Sequence, residues 1–244
     1  GIGFTVIVDL VRNHRWRKLK LHSKLMLLMT PALLLLGTLM FWLLEHNNPA
    51  TLGNAGPGGQ LLAAFFQSAT ARTAGFNTVD IGQMVPASLL FMMMLMFIGA
   101  GATSTGGGIK VTTFAVVLLA TRAFLTKRPH VTAFGRTLSP QIVTRSLAII
   151  IVSVMVLMLA MFLLMLTESQ PFDKIMFETV SAFATVGLST GITASLSEPG
   201  KLILVLVMIC GRLGPLTLAL MLARPSECRI HSPVASGDTA VADT

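Results

Sequence analysis

The sequence predicts an all-α membrane protein made of tandem repeats, each with a span, a re-entrant half-helix and a second span. Three observations predict this class: an apolar composition, apolar stretches of two distinct lengths, and an internal repeat. Hydrophobic residues make up 53% of the 244 residues, charged residues make up 11%, and the mean hydropathy is +0.78. This composition is typical of a chain whose apolar side chains are buried in lipid.

The chain opens with an apolar run, GIGFTVIVDLV, that stops at Arg12. A signal peptide would carry its charges before the apolar run, whereas here the charges follow it. We therefore expect the run to be the end of a preceding helix, with the chain beginning inside a longer protein. On this interpretation residues 1–24 comprise that helix end and a basic cytoplasmic linker.

Two apolar stretches have the length of a full membrane span. Residues 25–44 and 147–166 each contain 20 uncharged residues, which matches the roughly 20 needed to cross a hydrocarbon core. Residues 202–222 are also long enough, but Arg212 lies near the middle of this stretch. An arginine at that depth costs at least about 2.5 kcal/mol, so the sequence predicts a specific role for its charge.

Shorter apolar stretches complete each repeat. Residues 87–98 and 111–121 are too short to cross alone, and we expect them to form one span interrupted by glycines. Residues 60–71 and 172–184 have the length of a half-membrane helix, about 18 Å. Neither of these can cross the bilayer by itself.

The positive charges indicate how the chain threads the membrane. They form three clusters that flank the spans: residues 12–24, residues 122–145, and Arg224 with Arg229. If all three clusters are cytoplasmic, as the positive-inside rule expects, each half-helix must enter from outside and return outside. The net charge of +8 is thus a topology signal, and we expect no nucleic-acid partner.

An internal repeat supports this arrangement. One constant shift along the chain superposes seven pairs of identical residues without a gap: Phe65 on Phe177, Thr73 on Thr185, Gly75 on Gly187, Thr78 on Thr190, Leu90 on Leu202, Met96 on Met208 and Gly99 on Gly211. Predicted units are residues 25–126 and 147–224, joined by a basic cytoplasmic loop over 127–146. A polar, mobile tail is expected over 225–244.

Each half-helix is followed by a T-x-G-x-x-T segment. Non-helical backbone at membrane depth must be buried in protein or line a water-filled cavity. Glycine lets successive carbonyl groups turn toward one axis, where they can replace the water around a cation. We expect this ion site at eight residues: Thr73, Ala74, Gly75, Phe76, Thr185, Val186, Gly187 and Leu188. The segments hold no acidic side chain, which favours a monovalent cation such as potassium. Two ordinary loops are the alternative.

The interruption of the second span predicts a loop that rearranges easily. Five glycines in residues 99–108 each cost about 1 kcal/mol of helix preference. We expect a gate at residues 99–110 together with Arg212, and its residues are Gly99, Gly101, Thr103, Ser104, Thr105, Gly106, Gly107, Gly108, Lys110 and Arg212. Each feature has an alternative interpretation. The loop could be a kink that serves helix packing, and Arg212 could pair with a carboxylate in a repeat absent from this chain. Lys110 could simply extend its ammonium toward the cytoplasm.

Enzyme and metal motifs are missing from the sequence. The segment GAGATSTGGGIK matches neither the phosphate-binding P-loop nor G-x-G-x-x-G, and there is no H-E-x-x-H motif or cysteine cluster. The methionines at 92–94 and 96 suit helix packing, with Cu(I) binding as the less favoured interpretation. We therefore expect neither an enzyme nor a bound cofactor.

The paired segments TAGFNT and TVGLST, with GATSTGGGIK after the first, resemble the pore subunits of the Trk/Ktr/HKT potassium transporters, closest to the Ktr type. The resemblance covers almost the whole chain as the third and fourth of four pore repeats, so two of the four filter segments are absent from it. It implies a multi-pass protein of the bacterial plasma membrane that transports potassium. Whether sodium serves as a coupling or activating ion is left open by the resemblance. It also implies a central gate at the interrupted helix.

Partners follow only from the same resemblance. It implies membrane lipid around the spans, a cytosolic nucleotide-binding regulatory subunit of the RCK type, and a homodimer of full-length pore subunits. A secondary transporter with broken helices is the alternative function, although that class commonly uses inverted repeats. The two repeats here run parallel, because both enter the membrane from the cytoplasm.

Overall fold

The helical order span, short helix, span occurs twice in the structure, as the repeat predicts. The computed structural model describes residues 2–101, 106–128 and 130–214, except for the side chain of Arg17. The elements are α1 Phe4–Arg12, α2 Leu21–Glu45, α3 Pro57–Thr70, α4 Pro86–Phe97, α5 Val111–Leu125, β1 Thr132–Ala133, β2 Arg136–Thr137, α6 Pro140–Thr167, α7 Phe172–Ala184 and α8 Glu198–Leu213.

Helices α2 and α6 are the two long apolar helices of the described residues. They have 25 and 28 residues and contain the predicted stretches 25–44 and 147–166. Their outward faces expose large apolar side chains such as Leu35 and Met155, as expected where lipid is the solvent. The predicted third long span, 202–222, is described only as far as Gly214, so its second half lies outside the described residues.

Helices α3 and α7 are the two half-helices. At 14 and 13 residues and about 1.5 Å per residue, each measures about 20 Å, which is too short to cross the bilayer. Pro57 occupies the first turn of α3, and Pro171 immediately precedes α7. Proline suits both positions because the first amides of a helix have no intrahelical acceptor.

The two repeats pack into one core. Helix α3 packs on α2, α7 packs on α8, and α4 of the first repeat packs on α7 of the second. The side chains of Phe41, Met92, Met96, Phe177 and Phe183 are fully buried in this core. The methionines at 92, 93 and 96 therefore serve helix packing, whereas Met94 is 55% exposed and does not.

A carboxylate at the end of the first span ties it to the second span in each repeat. Glu45 is fully buried and accepts a hydrogen bond from the amide of Val85, 2.9 Å away, just before α4. Glu168 accepts from the amide of Ser197, 3.1 Å away, just before α8. The carboxylates satisfy backbone groups that begin the second helix, and they set the distance between the two spans.

The basic loop between the repeats contains a hairpin that the all-α prediction did not include. Strands β1 and β2 pair in antiparallel register, and the turn residues Phe134 and Gly135 both have positive φ, as in a type I′ turn. Phe134 packs edge-on against Trp16 with ring centroids 6.5 Å apart. The hairpin thereby joins the loop to the linker that precedes α2.

Candidate functional site

The segments that follow the two half-helices have positive φ angles at equivalent residues. Thr73 and Gly75 have φ of 69° and 77°, and the equivalent residues of the second repeat, Thr185 and Gly187, have φ of 52° and 91°. A β-branched residue with positive φ is a strained outlier, and such strain clusters at functional sites. Alternation of left-handed residues with ordinary ones turns neighbouring carbonyl groups toward the same side of the chain.

A hydroxyl from each half-helix anchors the outer part of its segment. Thr70 donates a hydrogen bond to the carbonyl oxygen of Phe76, and Ser181 donates to that of Leu188 at 2.6 Å. The two accepting carbonyls again occupy equivalent positions in the two repeats. A carbonyl oxygen has two lone pairs, so each keeps one for another partner.

The two segments lie against each other. A Cβ added to Gly75 would lie 2.4 Å from the carbonyl oxygen of Val186, and one added to Gly187 would lie 3.7 Å from the Cα of Gly75. Residues from two different repeats therefore form one backbone-lined site. Only glycine at position 75 allows this approach, because any side chain would overlap Val186.

Glu178 supports the second segment from behind. Its buried carboxylate accepts hydrogen bonds from the hydroxyl of Ser189 at 2.6 Å, the amide of Thr190 at 2.9 Å and the hydroxyl of Thr193 at 2.9 Å. Phe66 occupies the equivalent position in the first repeat. The support is therefore specific to the second repeat.

The glycine-rich break interrupts the helix between α4 and α5, but the end of α4 and the start of α5 stay adjacent in space. Ile98 and Ile109 form an isolated parallel bridge, and the amide of Ile109 donates to the carbonyl of Phe97 at 3.2 Å. A Cβ added to Gly99 would lie 2.1 Å from the carbonyl oxygen of Gly107. The chain therefore leaves α4, makes an excursion, and starts α5 close to where α4 ended.

This excursion contacts the inner ends of both segments. The amide of Gly107 donates to the hydroxyl of Thr185 across 3.0 Å. A Cβ added to Gly106 would lie 2.9 Å from the hydroxyl oxygen of Thr73. Since Thr73 and Thr185 are the segment residues nearest the half-helix C-termini, the loop lies at the end of the site where the segments begin.

Three cations surround the loop. The ammonium of Lys110 donates to the carbonyl of Gly106 at 2.5 Å, and Arg72 donates from Nη2 to the carbonyl of Gly99 at 3.3 Å. Arg212 lines a cavity of about 330 Å³ together with Thr185 and repels the charge of Lys110. Lys110 thus bonds to the loop itself, rather than only extending toward the cytoplasm.

The structure brings most of the sequence-predicted residues together. Both T-x-G-x-x-T segments, the glycines at 99, 106, 107 and 108, and Lys110 lie within one continuous set of contacts. Gly101 is described, and it has an interaction partner. Thr103, Ser104 and Thr105, assigned to the gate, lie outside the described residues, as does the tail over 225–244.

Two residues of the site were missed in the sequence. Arg72 is 8% exposed although it lies between a half-helix and its T-x-G-x-x-T segment, and a charge at that predicted depth was the available signal. Glu178 lies inside a predicted half-helix, and hydroxyl residues follow it at 189, 190 and 193. Within the described residues there is no group of three His, Cys, Asp or Glu side chains that could hold a metal.

Comparisons with known proteins identify the family to which the chain belongs. A family model described as "TrkH: Cation transport protein" matches residues 8–231. The chain is 62% identical over 237 residues to the Ktr system potassium uptake protein B of Vibrio alginolyticus and 42% identical over 233 residues to that of Bacillus subtilis. Each alignment covers 96% of this chain and 52% of the relative.

A solved structure shows the same fold. The potassium transporter TrkH from Vibrio parahaemolyticus matches with a TM-score of 0.71 at 21% identity, over 91% of this chain and 49% of that one. The potassium/sodium uptake protein NtpJ of Enterococcus hirae is 38% identical over 226 residues, which cover 91% of this chain and 50% of that protein. The chain therefore spans about half the length of the curated relatives it matches.

Proposed function

The chain belongs to the TrkH family of cation transport proteins, and on that premise we propose that it forms two quarters of a potassium pore. The family comprises cation transporters rather than enzymes. Potassium as the ion is supported by the names of the relatives, which are potassium uptake proteins. The other two filter segments would be supplied by the rest of a full-length protein, in line with the four repeats that the resemblance implies.

The observation that carries this proposal is the pair of matched left-handed residues in each segment. Thr73 and Gly75, with Thr185 and Gly187, have positive φ angles at equivalent places. Carbonyl dipoles held in such an array can replace the hydration shell of a weakly hydrated cation. The C-terminal ends of α3 and α7 add partial negative charge at the same place.

Ion coordination is assigned to the backbone of both segments. The proposed ligands are carbonyl oxygens of residues 73–76 and 185–188. The carbonyl oxygens of Phe76 and Leu188 each accept a hydrogen bond from a hydroxyl of the half-helix, so only their second lone pair is available to the ion. These hydrogen bonds would keep the outer ligands in place while an ion passes.

The intramembrane loop is proposed as the gate. Support comes from its position against the inner residues of both segments and from two hydrogen bonds of its glycines. The amide of Gly107 bonds to Thr185, and the carbonyl of Gly106 bonds to Lys110. Loss of these two hydrogen bonds would loosen the loop and so favour its movement from a closed to an open position.

Arg212 and Lys110 supply positive charge beside the loop. A cation close to the inner end of the filter raises the energy of a passing potassium ion by Coulomb repulsion. Together with the loop, these charges would make the closed state both a steric and an electrostatic barrier. Opening would move the loop and Lys110 away from the ion path.

Rubidium uptake by the full-length gene product, in cells that lack their own potassium uptake, tests the filter assignment. Gly75→Ser and Gly187→Ser are expected to abolish uptake or its preference for potassium over sodium. Gly135→Ser is the matched control, because Gly135 also has positive φ but lies in the hairpin with open space around it. Unchanged rate and preference in both filter variants, at equal protein level, would discard the assignment.

Regulation and assembly are proposed by resemblance alone. We propose a cytosolic nucleotide-binding subunit of the RCK type bound to the basic cytoplasmic loops, and a homodimer of full-length subunits in the bacterial plasma membrane. Sodium as a coupling ion belongs to the same proposal. Copurification of the full-length protein from native membranes, with its mass measured in detergent, tests the two partners directly.

A further inference from the structure

A groove of about 440 Å³ opens where α2, α5 and α6 begin. Each of the three helices contributes to its apolar walls, for example with Leu25, Val116 and Ile149. Leu25 and Ile149 lie at the start of the long apolar stretches of α2 and α6. The groove therefore extends from the membrane surface into the hydrocarbon region, on the side that carries the basic clusters.

The same groove is basic. Lys110, Arg145 and His22 line it, and none of the lining residues within the described part of the chain is acidic. The positive charge comes from Lys110 and Arg145, and the half-buried imidazole of His22 adds only a polar group. The groove thus has positive charge that the described residues do not neutralise.

We propose that this groove binds an anionic phospholipid of the cytoplasmic leaflet. Arg145 lies just before the apolar stretch of α6, at the depth of lipid headgroups, and its guanidinium can hold a phosphate with two hydrogen bonds. The hydroxyls of Thr112 and Thr113, which also line the groove, add further donors. An acyl chain then lies against Leu25, Val116 and Ile149.

The charge and shape of the groove favour an anionic lipid over a free phosphate or a second copy of the chain. A free phosphate would contact only the cations. The apolar walls would then stay in contact with water, so binding would gain no hydrophobic free energy from them. A second copy of the chain would bring more positive charge, since 13 of its 18 lysines and arginines are assigned to the same face. An anionic lipid matches both the basic and the apolar parts.

Binding would also affect the loop, and this consequence rests on the proposed function. Lys110 lines the groove while its ammonium bonds to the carbonyl of Gly106. A lipid phosphate would compete with that carbonyl for the same ammonium. Occupancy of the groove would therefore loosen the loop, so anionic lipid would raise transport.

The first test measures lipid binding to the purified full-length protein by native mass spectrometry, with phosphatidylglycerol and phosphatidylcholine as probes. Phosphatidylglycerol is expected to bind selectively, and Arg145→Gln to weaken it about tenfold. Arg136→Gln is the control, because Arg136 is exposed on the hairpin and does not line the groove. Equal binding of the two lipids, or equal effects of the two variants, would overturn the proposal.

A second pair of variants blocks the apolar part. Ile142 lines the groove and is 46% exposed, so Ile142→Trp should fill the groove without disturbing the core. The control is Ile151→Trp, because Ile151 is 58% exposed and does not line the groove. Only Ile142→Trp should lose the lipid. Full displacement by inorganic phosphate would assign the site to free phosphate, and a changed oligomer mass with unchanged lipid would assign it to a second copy; either result overturns the proposal.

These measurements stand apart from transport. If phosphatidylglycerol binds as described but rubidium uptake does not depend on it, the lipid site holds and the coupling to the loop is wrong. If uptake shows no cation selectivity at all, the proposed pore fails while the binding result remains. The two proposals therefore fail in distinguishable ways.

Discussion

The amide of Gly107 donates a hydrogen bond to the hydroxyl of Thr185 across 3.0 Å. These residues are 78 positions apart, the first in the glycine-rich loop of one repeat and the second in the T-x-G-x-x-T segment of the other. The loop is therefore attached to the segment that it is proposed to close. Side chains that strengthen or weaken this attachment should change transport directly.

Replacement of Thr185 tests the attachment itself. Thr185→Val keeps the shape and the β-branching but removes the acceptor for Gly107, which is worth about 0.5–1.5 kcal/mol. Rubidium uptake should rise about two- to tenfold, while Thr185→Ser, which retains the hydroxyl, should stay close to the parent. Equal uptake rates in the valine and serine variants would contradict a closing role for this hydrogen bond.

Lys110 provides a second attachment of the loop. Lys110→Met removes a charge-assisted hydrogen bond to Gly106, worth about 1.5–3 kcal/mol, and it lowers the positive charge near Arg212. Initial rubidium uptake should increase about tenfold or more. Lys127→Met, at an exposed position after α5, is the control and should have no effect. A fall in uptake with intact protein would indicate that Lys110 holds the loop open instead.

Glu178 should control both stability and selectivity of the second filter segment. In Glu178→Gln one oxygen becomes an amide nitrogen that cannot accept from the hydroxyls it faces, so unfolding should become easier by about 2 kcal/mol. The preference for potassium over sodium in competition assays should fall. Glu198→Gln removes only an exposed ion pair with Lys201, worth at most about 1 kcal/mol. Similar melting temperatures for the two variants would argue against this role.

Gly211 marks the closest approach of α8 to α7. A Cβ at this position would lie 1.7 Å from the carbonyl oxygen of Phe183, so Gly211→Ala must push the helices apart. The full-length protein should fail to assemble or should melt well below the parent in detergent. Gly58→Ala, where nothing lies within 4 Å, should be harmless. Normal yield and melting of the Gly211 variant would refute this contact.

The membrane topology makes a prediction about labelling. In a cysteine-free version of the full-length protein, in which serine replaces Cys210, Cys228 and any other cysteine, Arg136→Cys should react with an impermeant reagent only after the cytoplasmic side is exposed. A cysteine at Ser169, between α6 and α7, should react in intact cells. With the basic linker before α2 on the cytoplasmic side, the reverse pattern would mean that α3 crosses the membrane, and the pore proposal would fall with it.

Local patterns predicted much of this fold. The stretches 25–44 and 147–166 fall within α2 and α6, and the half-helix predicted over 172–184 coincides with α7. Such elements are readable because the cost of placing polar groups in lipid restricts both length and composition along a continuous segment. The hairpin of Thr132–Thr137 was not predicted, since strands of two residues carry too little periodicity to detect.

The sequence by itself determined which stretches are long and apolar, where the helices break, and that two glycine-centred segments, one in each repeat, are equivalent. Only the tertiary structure decided which of these groups meet: Gly75 with Val186, Gly107 with Thr185, and Arg72 with Gly99. Each such contact joins residues distant in the chain, and its geometry depends on helix packing that no local pattern encodes. The preference of each side chain for lipid or water can be read from the sequence one residue at a time. The proposed filter and gate need contacts that form only when the helices pack together.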